Sequence, residues 1–288
     1  MLPADFIIYC KSYQGDLSRA VRLAKSVTKH NRNDLPFYLS CPSDDLPAFR
    51  GALAGMGVNL IADEEIAAAN PRANSSIMTE WDPRQAQQVI KSELWRAVAC
   101  KAYLCIDSDS IFLRDFGLAD FIHPSGNPYT ILHQAKDFLQ QALNAGRPKV
   151  VHHFQDDARV MQAIFSRQGP LYDYGPTPVI WAAQVWKDLD EQYLFPRGMT
   201  LWDAIAQRSG ELRWYGEALL RFQSIPIYPI EPLFRVYHYE WQWRQLQANG
   251  ETEEKVAANY LGVVYQSNWH GKKPRNPIKR LFRKVFGK

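Results

Sequence analysis

Apolar and polar positions fall into alternating blocks along the first hundred residues. Phe6-Ile7-Ile8-Tyr9-Cys10, Leu35-Pro36-Phe37-Tyr38-Leu39 and Val58-Asn59-Leu60-Ile61 are short apolar runs that predict three strands. Helical spacing fills the gaps between them. Leu17, Ala20, Val21, Ala24 and Val27 predict a helix to about His30 with Asp16 as its cap, and Leu46 to Leu53 predicts a second, stopped by Gly55 and Gly57. Strands alternating with helices at this spacing imply βαβ units and a mostly parallel sheet. Ala67 to Pro83 has weak periodicity and reads as irregular. Pro83 then opens a predicted helix, Arg84 to Ala99, with Val89, Ile90, Leu94 and Trp95 apolar and with Gln87 and Lys91 one turn apart on one face.

That helix leads into Ala102 to Phe116, AYLCIDSDSIFLRDF. Tyr103-Leu104-Cys105-Ile106 reads as a buried central strand, and the chain returns to Ile111-Phe112-Leu113 after Asp107-Ser108-Asp109. Carboxylates are costly to bury unless something pairs with them. In an open α/β sheet the carboxyl ends of the strands are where ligands bind. Two Asp around one small residue offer hard oxygen donors to a divalent cation and the phosphates it carries. The plainer reading is a turn or helix cap, but apolar runs on both sides argue against a surface turn.

The second half is less regular. Tyr129 to His133, Val179-Ile180-Trp181 and the proline-bounded Ile225 to Pro229 predict strands, and Val160 to Phe165 and Lys187 to Gln207 predict helices. His152 and His153 are adjacent, so they do not face one way and make a poor metal pair. Glu211 and Glu217 stand among Leu212, Trp214 and Tyr215 ahead of an apolar helix at Ala218-Leu219-Leu220. A carboxylate among aromatics has its pKa raised and suits a base, whereas acids at a helix start also stabilise the helix. Aromatic-dense Phe234 to Trp243 contains His238, a helix is predicted at Thr252 to Leu261, and a strand from Val263 runs into His270-Gly271-Lys272-Lys273-Pro274.

Composition narrows the class. An apolar share of 46% and a charged share of 22% over 288 residues fit a globular protein with one large α/β domain and an extension. No apolar run approaches the roughly 20 residues of a membrane span, and the first residues lack the pattern of a signal peptide. Cys10, Cys41, Cys100 and Cys105 fit no zinc spacing and read as reduced thiols of a cytoplasmic protein. The net charge of +4 belongs to one end. Residues 272–288 hold eight basic and no acidic residues, leaving 26 basic against 30 acidic elsewhere. Ile278, Leu281, Phe282, Val285 and Phe286 form an apolar stripe opposite Lys279, Arg280, Arg283 and Lys284. A short basic amphipathic helix of this kind lies in the headgroup plane of an anionic membrane. The acidic body makes nucleic acid an unsuitable partner.

With these motifs in hand, the chain resembles nucleotide-sugar-dependent glycosyltransferases of the A-type (GT-A) fold, nearest to a mostly uncharacterised bacterial family of glycosyltransferase-like proteins. The residues carrying the resemblance are the first strand with its polar loop, Gln87 to Lys91, Ile106 to Phe112, Thr177 to Trp181, and Glu211 ahead of Tyr215-Gly216. The ending is similar to that of glycosyltransferase family 8, although His270-Gly271-Lys272-Lys273-Pro274 is shorter than that family's His-x-Gly-x-x-Lys-Pro.

The resemblance implies a Mn²⁺ or Mg²⁺ ion held by Asp107, Asp109 and His270, with His238 in reserve. It implies a donor site at Tyr9, Lys11, Tyr13, Gln87, Lys91, Asp107, Ser108 and Lys273, and catalytic roles for Glu211, Asp107 and Glu217. The fold expected is α/β, with a GT-A-like, mostly parallel central sheet over residues 1–270 and the basic tail at 271–288. The activity expected is metal-dependent transfer of a sugar from a nucleotide-sugar donor to a glycan or lipid-linked acceptor. Bacterial surface polysaccharide synthesis at the inner face of the plasma membrane is the setting expected. The alternatives are a nucleotidyltransferase acting on sugar phosphates, or a membrane-bound glycan-binding protein whose catalysis has lapsed.

Overall fold

The computed structural model describes residues 5–73 and 81–266. In chain order the first half gives β1 (Phe6–Lys11), α1 (Leu17–His30), β2 (Phe37–Cys41), α2 (Leu46–Ala52), β3 (Val58–Ala62), α3 (Asp63–Ala68), α4 (Pro83–Ala97), β4 (Ala102–Asp107) and β5 (Ser110–Phe112). The second half gives β6 (Thr130–Ile131), α5 (Lys136–Asn144), α6 (Pro148–Ile164), β7 (Val179–Ala182), α7 (Ala183–Leu189), α8 (Leu201–Gln207), α9 (Glu211–Phe222), β8 (Pro229–Ile230), β9 (Phe234–Tyr237), α10 (Glu240–Ala248), α11 (Glu253–Ala257) and β10 (Gly262–Tyr265).

The main sheet has the order β3-β2-β1-β4-β7. Its first four strands run parallel, and β7 pairs antiparallel with β4. The fold is therefore mixed α/β, with a mostly parallel central sheet flanked by helices. The apolar runs of β1 and β4 are uninterrupted because both sheet faces are covered. Ile7, Tyr9, Tyr103 and Cys105 face one core with α4 and α9. Phe6, Ile8, Cys10, Leu104 and Ile106 face a second with α1.

The strand order reverses between β1 and β4. Successive strands step outward on one side through β2 and β3, whereas β4 lies on the other side of β1. Such a switch point leaves a crevice at the carboxyl ends of the two flanking strands. Lys11 and Asp107 are register partners there, so the loop after β1 and the Asp107-Ser108-Asp109 turn emerge side by side.

Several predicted elements are corrected. Lys187 to Gln207 is not one helix. From α7 the chain winds on through a π turn at Asp190–Leu194 and a 3₁₀ turn at Phe195–Arg197, then stops at Gly198, whose φ is 65°, before α8 begins at Leu201. The aromatic segment predicted to precede a helix is itself helix, since α9 starts at Glu211. Tyr129 to His133 and Ile225 to Pro229 reduce to the two-residue pair β6–β8. Residues 136–144 form a helix where the sequence pattern predicted no element. His270, Lys273 and the basic stretch at 271–288 lie outside the described residues.

Candidate functional site at the carboxyl end of β1 and β4

The local structure of α4 sets the first functional side chain. Asp82 caps the helix by accepting from Arg84 N at 2.8 Å, and Pro83 occupies its first turn. From there Val89, Ile90 and Leu94 turn to the core, and Lys91 is carried in with them at 5% exposure. From sequence, a lysine at this point of the helix either faces solvent or bridges to a phosphate or an Asp of the site. The structure settles its position: Lys91 Nζ donates to Asp107 Oδ1 at 2.5 Å. Burial, the largest single influence, would lower the lysine pKa, but Asp107, Cys105 and Glu211 together outweigh it and the net direction is upward. Lys91 is thus a permanent positive charge at the mouth of β4.

Asp109 follows one turn later, 6% exposed, and its carbonyl accepts from Tyr265 N at 3.1 Å. Between the two Asp, Ser108 Oγ donates to Asp16 Oδ2 at 3.4 Å, tying the turn to the start of α1. Asp16 also pairs with Arg19. In the adjoining loop Tyr13 is 51% exposed and lies over Gly15 so closely that a Cβ there would come within 2.4 Å of its ring. Glycine at 15 is what allows Tyr13 that position.

Glu211 reaches the same place from the other side. It is the first residue of α9, half-buried, with its pKa raised chiefly by burial. Lys91 opposes that rise and Asp107 adds to it. Lys91, Asp107 and Glu211 therefore form one electrostatic unit. Gln88, on which sequence reasoning placed no role, fixes the unit's geometry: its Oε1 accepts from Gly210 N at 2.8 Å and holds the turn before Glu211 against α4. No local signal singles out Gln88 over Gln87. Gln87 is half-buried, and its side chain makes no hydrogen bond to another described residue.

Other expected site residues lie elsewhere. Tyr9 is fully buried, with its hydroxyl paired with Ser40 Oγ at 2.8 Å, so it presents no surface to a donor. Strand alternation points it into the α4 core rather than out of the sheet's end. Lys11 turns to Asp63, Nζ to Oδ2 3.3 Å, both largely buried. Glu217 is a structural anion. It takes a two-pronged contact from Arg167, at 2.6 and 2.9 Å, and the Tyr174 hydroxyl at 2.8 Å, leaving it no free oxygen face for catalysis. His238 packs on Phe138, ring centroids 4.8 Å apart, and lines a different cleft from the aspartates. Among the described residues no three His, Cys, Asp or Glu side chains stand together as a metal set.

That cleft encloses about 1010 Å³ and has Glu211 on its wall, together with His133, Phe138, Tyr172, Arg213 and Tyr239. Glu211 therefore connects the charged mouth of β4 to a large open space on the α5–α6 side.

Fold and site together define an α/β protein with a charged cluster at a topological switch point. The chain belongs to a family of unknown function (DUF6492), whose model matches residues 4–246. No curated protein matches it. Among solved structures it is similar to the apo crystal structure of mouse xyloside xylosyltransferase 1, at 8% identity and a TM-score of 0.48, covering 92% of this chain and 99% of that one. No helix among the described residues is long and apolar enough to cross a membrane.

Proposed function

We propose that the chain is a metal-dependent GT-A-type glycosyltransferase that moves a sugar from a nucleotide-sugar donor to a glycan or glycolipid. Bacterial surface polysaccharide synthesis at a membrane surface is the setting proposed. The observation that carries this reading is the Lys91–Asp107 pair at the switch point, with Asp109 one turn on and Glu211 electrostatically coupled to both. The donor's base and ribose would lie in the crevice beside Tyr13, and its diphosphate at the mouth of β4.

The donor set fits a divalent cation in part. Asp107 and Asp109 offer hard oxygens, and Lys91 already pairs with one oxygen of Asp107. Mg²⁺ and its relatives keep waters and take one or two carboxylates plus substrate phosphates, so two aspartates suffice. When bound, the ion would offset the charge developing on the leaving diphosphate. His270 is five residues beyond Tyr265, whose N–H binds the Asp109 carbonyl. His270, the third ligand proposed, lies outside the described residues.

The chain's own groups supply the remainder. Lys91, held protonated, would hold a phosphate oxygen. The acceptor hydroxyl oxygen bonds the anomeric carbon as the bond from that carbon to the diphosphate breaks. The nucleoside diphosphate leaves with the electron pair. Glu211 would take the hydroxyl proton, a role suited to a carboxylate whose pKa lies above its ordinary value.

The test is a nucleotide-sugar panel assayed for hydrolysis with Mn²⁺, with Mg²⁺ and with chelator, for the full chain and for Asp109→Ala. Turnover of one donor that needs metal and is lost in Asp109→Ala supports the reading. No binding and no turnover across the panel rules it out, and consumption of a sugar phosphate with a nucleoside triphosphate would assign a nucleotidyltransferase instead.

A further inference from the structure

The cleft beyond Glu211 carries aromatic faces and surplus carboxylates that the transfer step does not use. Where α5 meets the start of α10, three rings lie in near-parallel planes. Phe138 and Tyr239 have centroids 6.3 Å apart and planes 9° apart, and Tyr239 and Trp241 follow at 5.8 Å and 18°. Tyr239 is 39% exposed, and Phe138 and Trp241 are half-buried. A row of large rings kept partly in water is an unsatisfied apolar surface. Its flat faces suit the C–H faces of successive pyranose rings, because aromatic faces are partly negative and such hydrogens partly positive.

Charge narrows the occupant. The guanidinium groups on the cleft wall are already engaged: Arg213 holds Asp157 at 2.7 Å and Arg235 holds Glu251 at 2.9 Å. Away from Glu211 the wall holds Lys136, Asp137, Asp173 and Glu231, with His133 lying 3.8 Å from Asp173 and 3.5 Å from Glu231; the three carboxylates exceed the lysine even with His133 counted against them. Burial lowers the pKa of His238, so it adds no positive charge at neutral pH. A lipid pyrophosphate, a phosphorylated sugar or a uronate chain would meet like charge here. An uncharged sugar chain would meet carboxylates able to accept its hydroxyls and rings able to stack on it.

We infer that the cleft is the acceptor site and that its occupant is an uncharged oligosaccharide. Phe138 and Tyr239, both on the cleft wall, form a stacking platform for sugar residues remote from the one that reacts, while Trp241 stands outside that wall with Arg147 over its ring. The inference rests on the preceding reading for placing an acceptor beside Glu211, and it narrows that acceptor from glycan or glycolipid to an uncharged glycan chain.

Isothermal titration of the full chain without nucleotide sugar tests it. The probes are cello-, xylo-, malto- and chito-hexasaccharides, their disaccharides, and a hexagalacturonate. The expected result is that at least one neutral hexasaccharide binds, more tightly than its disaccharide, and that the hexagalacturonate does not. Phe138→Ala and Tyr239→Ala would each weaken binding about tenfold, near 1.4 kcal/mol, and Phe138→Tyr and Tyr239→Phe would recover most of it. Near-ultraviolet circular dichroism shows that each variant is folded, and either position alone suffices if the other variant fails to fold. Absence of any neutral binding, tighter binding of the hexagalacturonate, or wild-type affinity in a folded alanine variant overturns the inference. Because no donor is present, glycan binding in a chain that turns over no nucleotide sugar would defeat the glycosyltransferase reading alone. Donor turnover without glycan binding would defeat this inference alone.

Discussion

Lys91 Nζ lies 2.5 Å from Asp107 Oδ1, with the lysine side chain 6% exposed and the aspartate 28%. The two are not equivalent partners. Asp107 has water within reach, whereas Lys91 is enclosed by α4 and β4. Removing one member of a buried pair is costly because the other is left charged without compensation.

The asymmetry gives a first prediction. Asp107→Ala strands a buried ammonium and is expected to cost about 3 kcal/mol, whereas Lys91→Met leaves a hydrated carboxylate and is expected to cost about 1 kcal/mol. Urea denaturation of both variants measures the difference. Equal losses, or a larger loss for Lys91→Met, would mean that Lys91 is less enclosed than its position in α4 indicates.

Glu211 sets a pH dependence. Burial raises its folded pKa above its unfolded value, so the folded state binds the proton more tightly. The stability it contributes is present below the unfolded pKa and is lost as pH rises through the folded one. Glu211→Gln should therefore gain stability relative to wild type at about pH 8 and show little gain at about pH 4. The same titration predicts transfer that rises with pH through the folded Glu211 pKa, since a base must be ionised to accept the proton. Thermal melts and a pH–rate profile check both. A Glu211→Gln enzyme with an unchanged acid limb would assign the base elsewhere.

Glu217 predicts the reverse pattern. Glu217→Ala leaves Arg167, 12% exposed, and the Tyr174 hydroxyl without their acceptor, and is expected to cost about 3 kcal/mol. Turnover per folded molecule should stay within about twofold of wild type, since surface and core contacts away from a site leave the chemical step alone. Activity lost as deeply as in Glu211→Gln, measured below the melting transition, would return Glu217 to the catalytic set.

Gly216 sits behind the same pair. A Cβ at this position would come within 2.0 Å of the Tyr174 ring, so Gly216→Ala is expected to cost about 2 kcal/mol or more through overpacking. A melting temperature unchanged in this variant would show that α9 can shift away from Tyr174 freely.

The charge at residues 272–288 predicts binding to vesicles containing anionic lipid, at about 1 kcal/mol per basic residue near the surface. Flotation at low and high salt, with and without residues 276–288, measures it. Salt-insensitive binding, or equal binding by the shortened chain, would remove the membrane proposal without touching the site at β4.

How much of this was legible without coordinates differs by element. The apolar runs of β1 and β4, and Asp107 at the end of β4, were readable because strands covered on both faces need no polar alternation. The helix before them was readable to within a residue or two. The partner of Asp107 was not: whether Lys91 faces water or the sheet depends on how α4 is rotated, and a helix with apolar residues on two sides fits either. Tyr9 was misassigned for a related reason, since a strand pattern apolar on both faces does not say which face each side chain takes.

The sequence by itself determined the five strands of the main sheet, and that two carboxylates stand at the end of a buried strand, because these follow from local periodicity and the cost of burying charge. Only the tertiary structure decided that Lys91, Asp107 and Glu211 meet, that Gln88 holds them together, and that Glu217 belongs to Arg167. Contacts between residues far apart in the chain are fixed by the packing of whole elements, and packing leaves no mark on the spacing within any one of them.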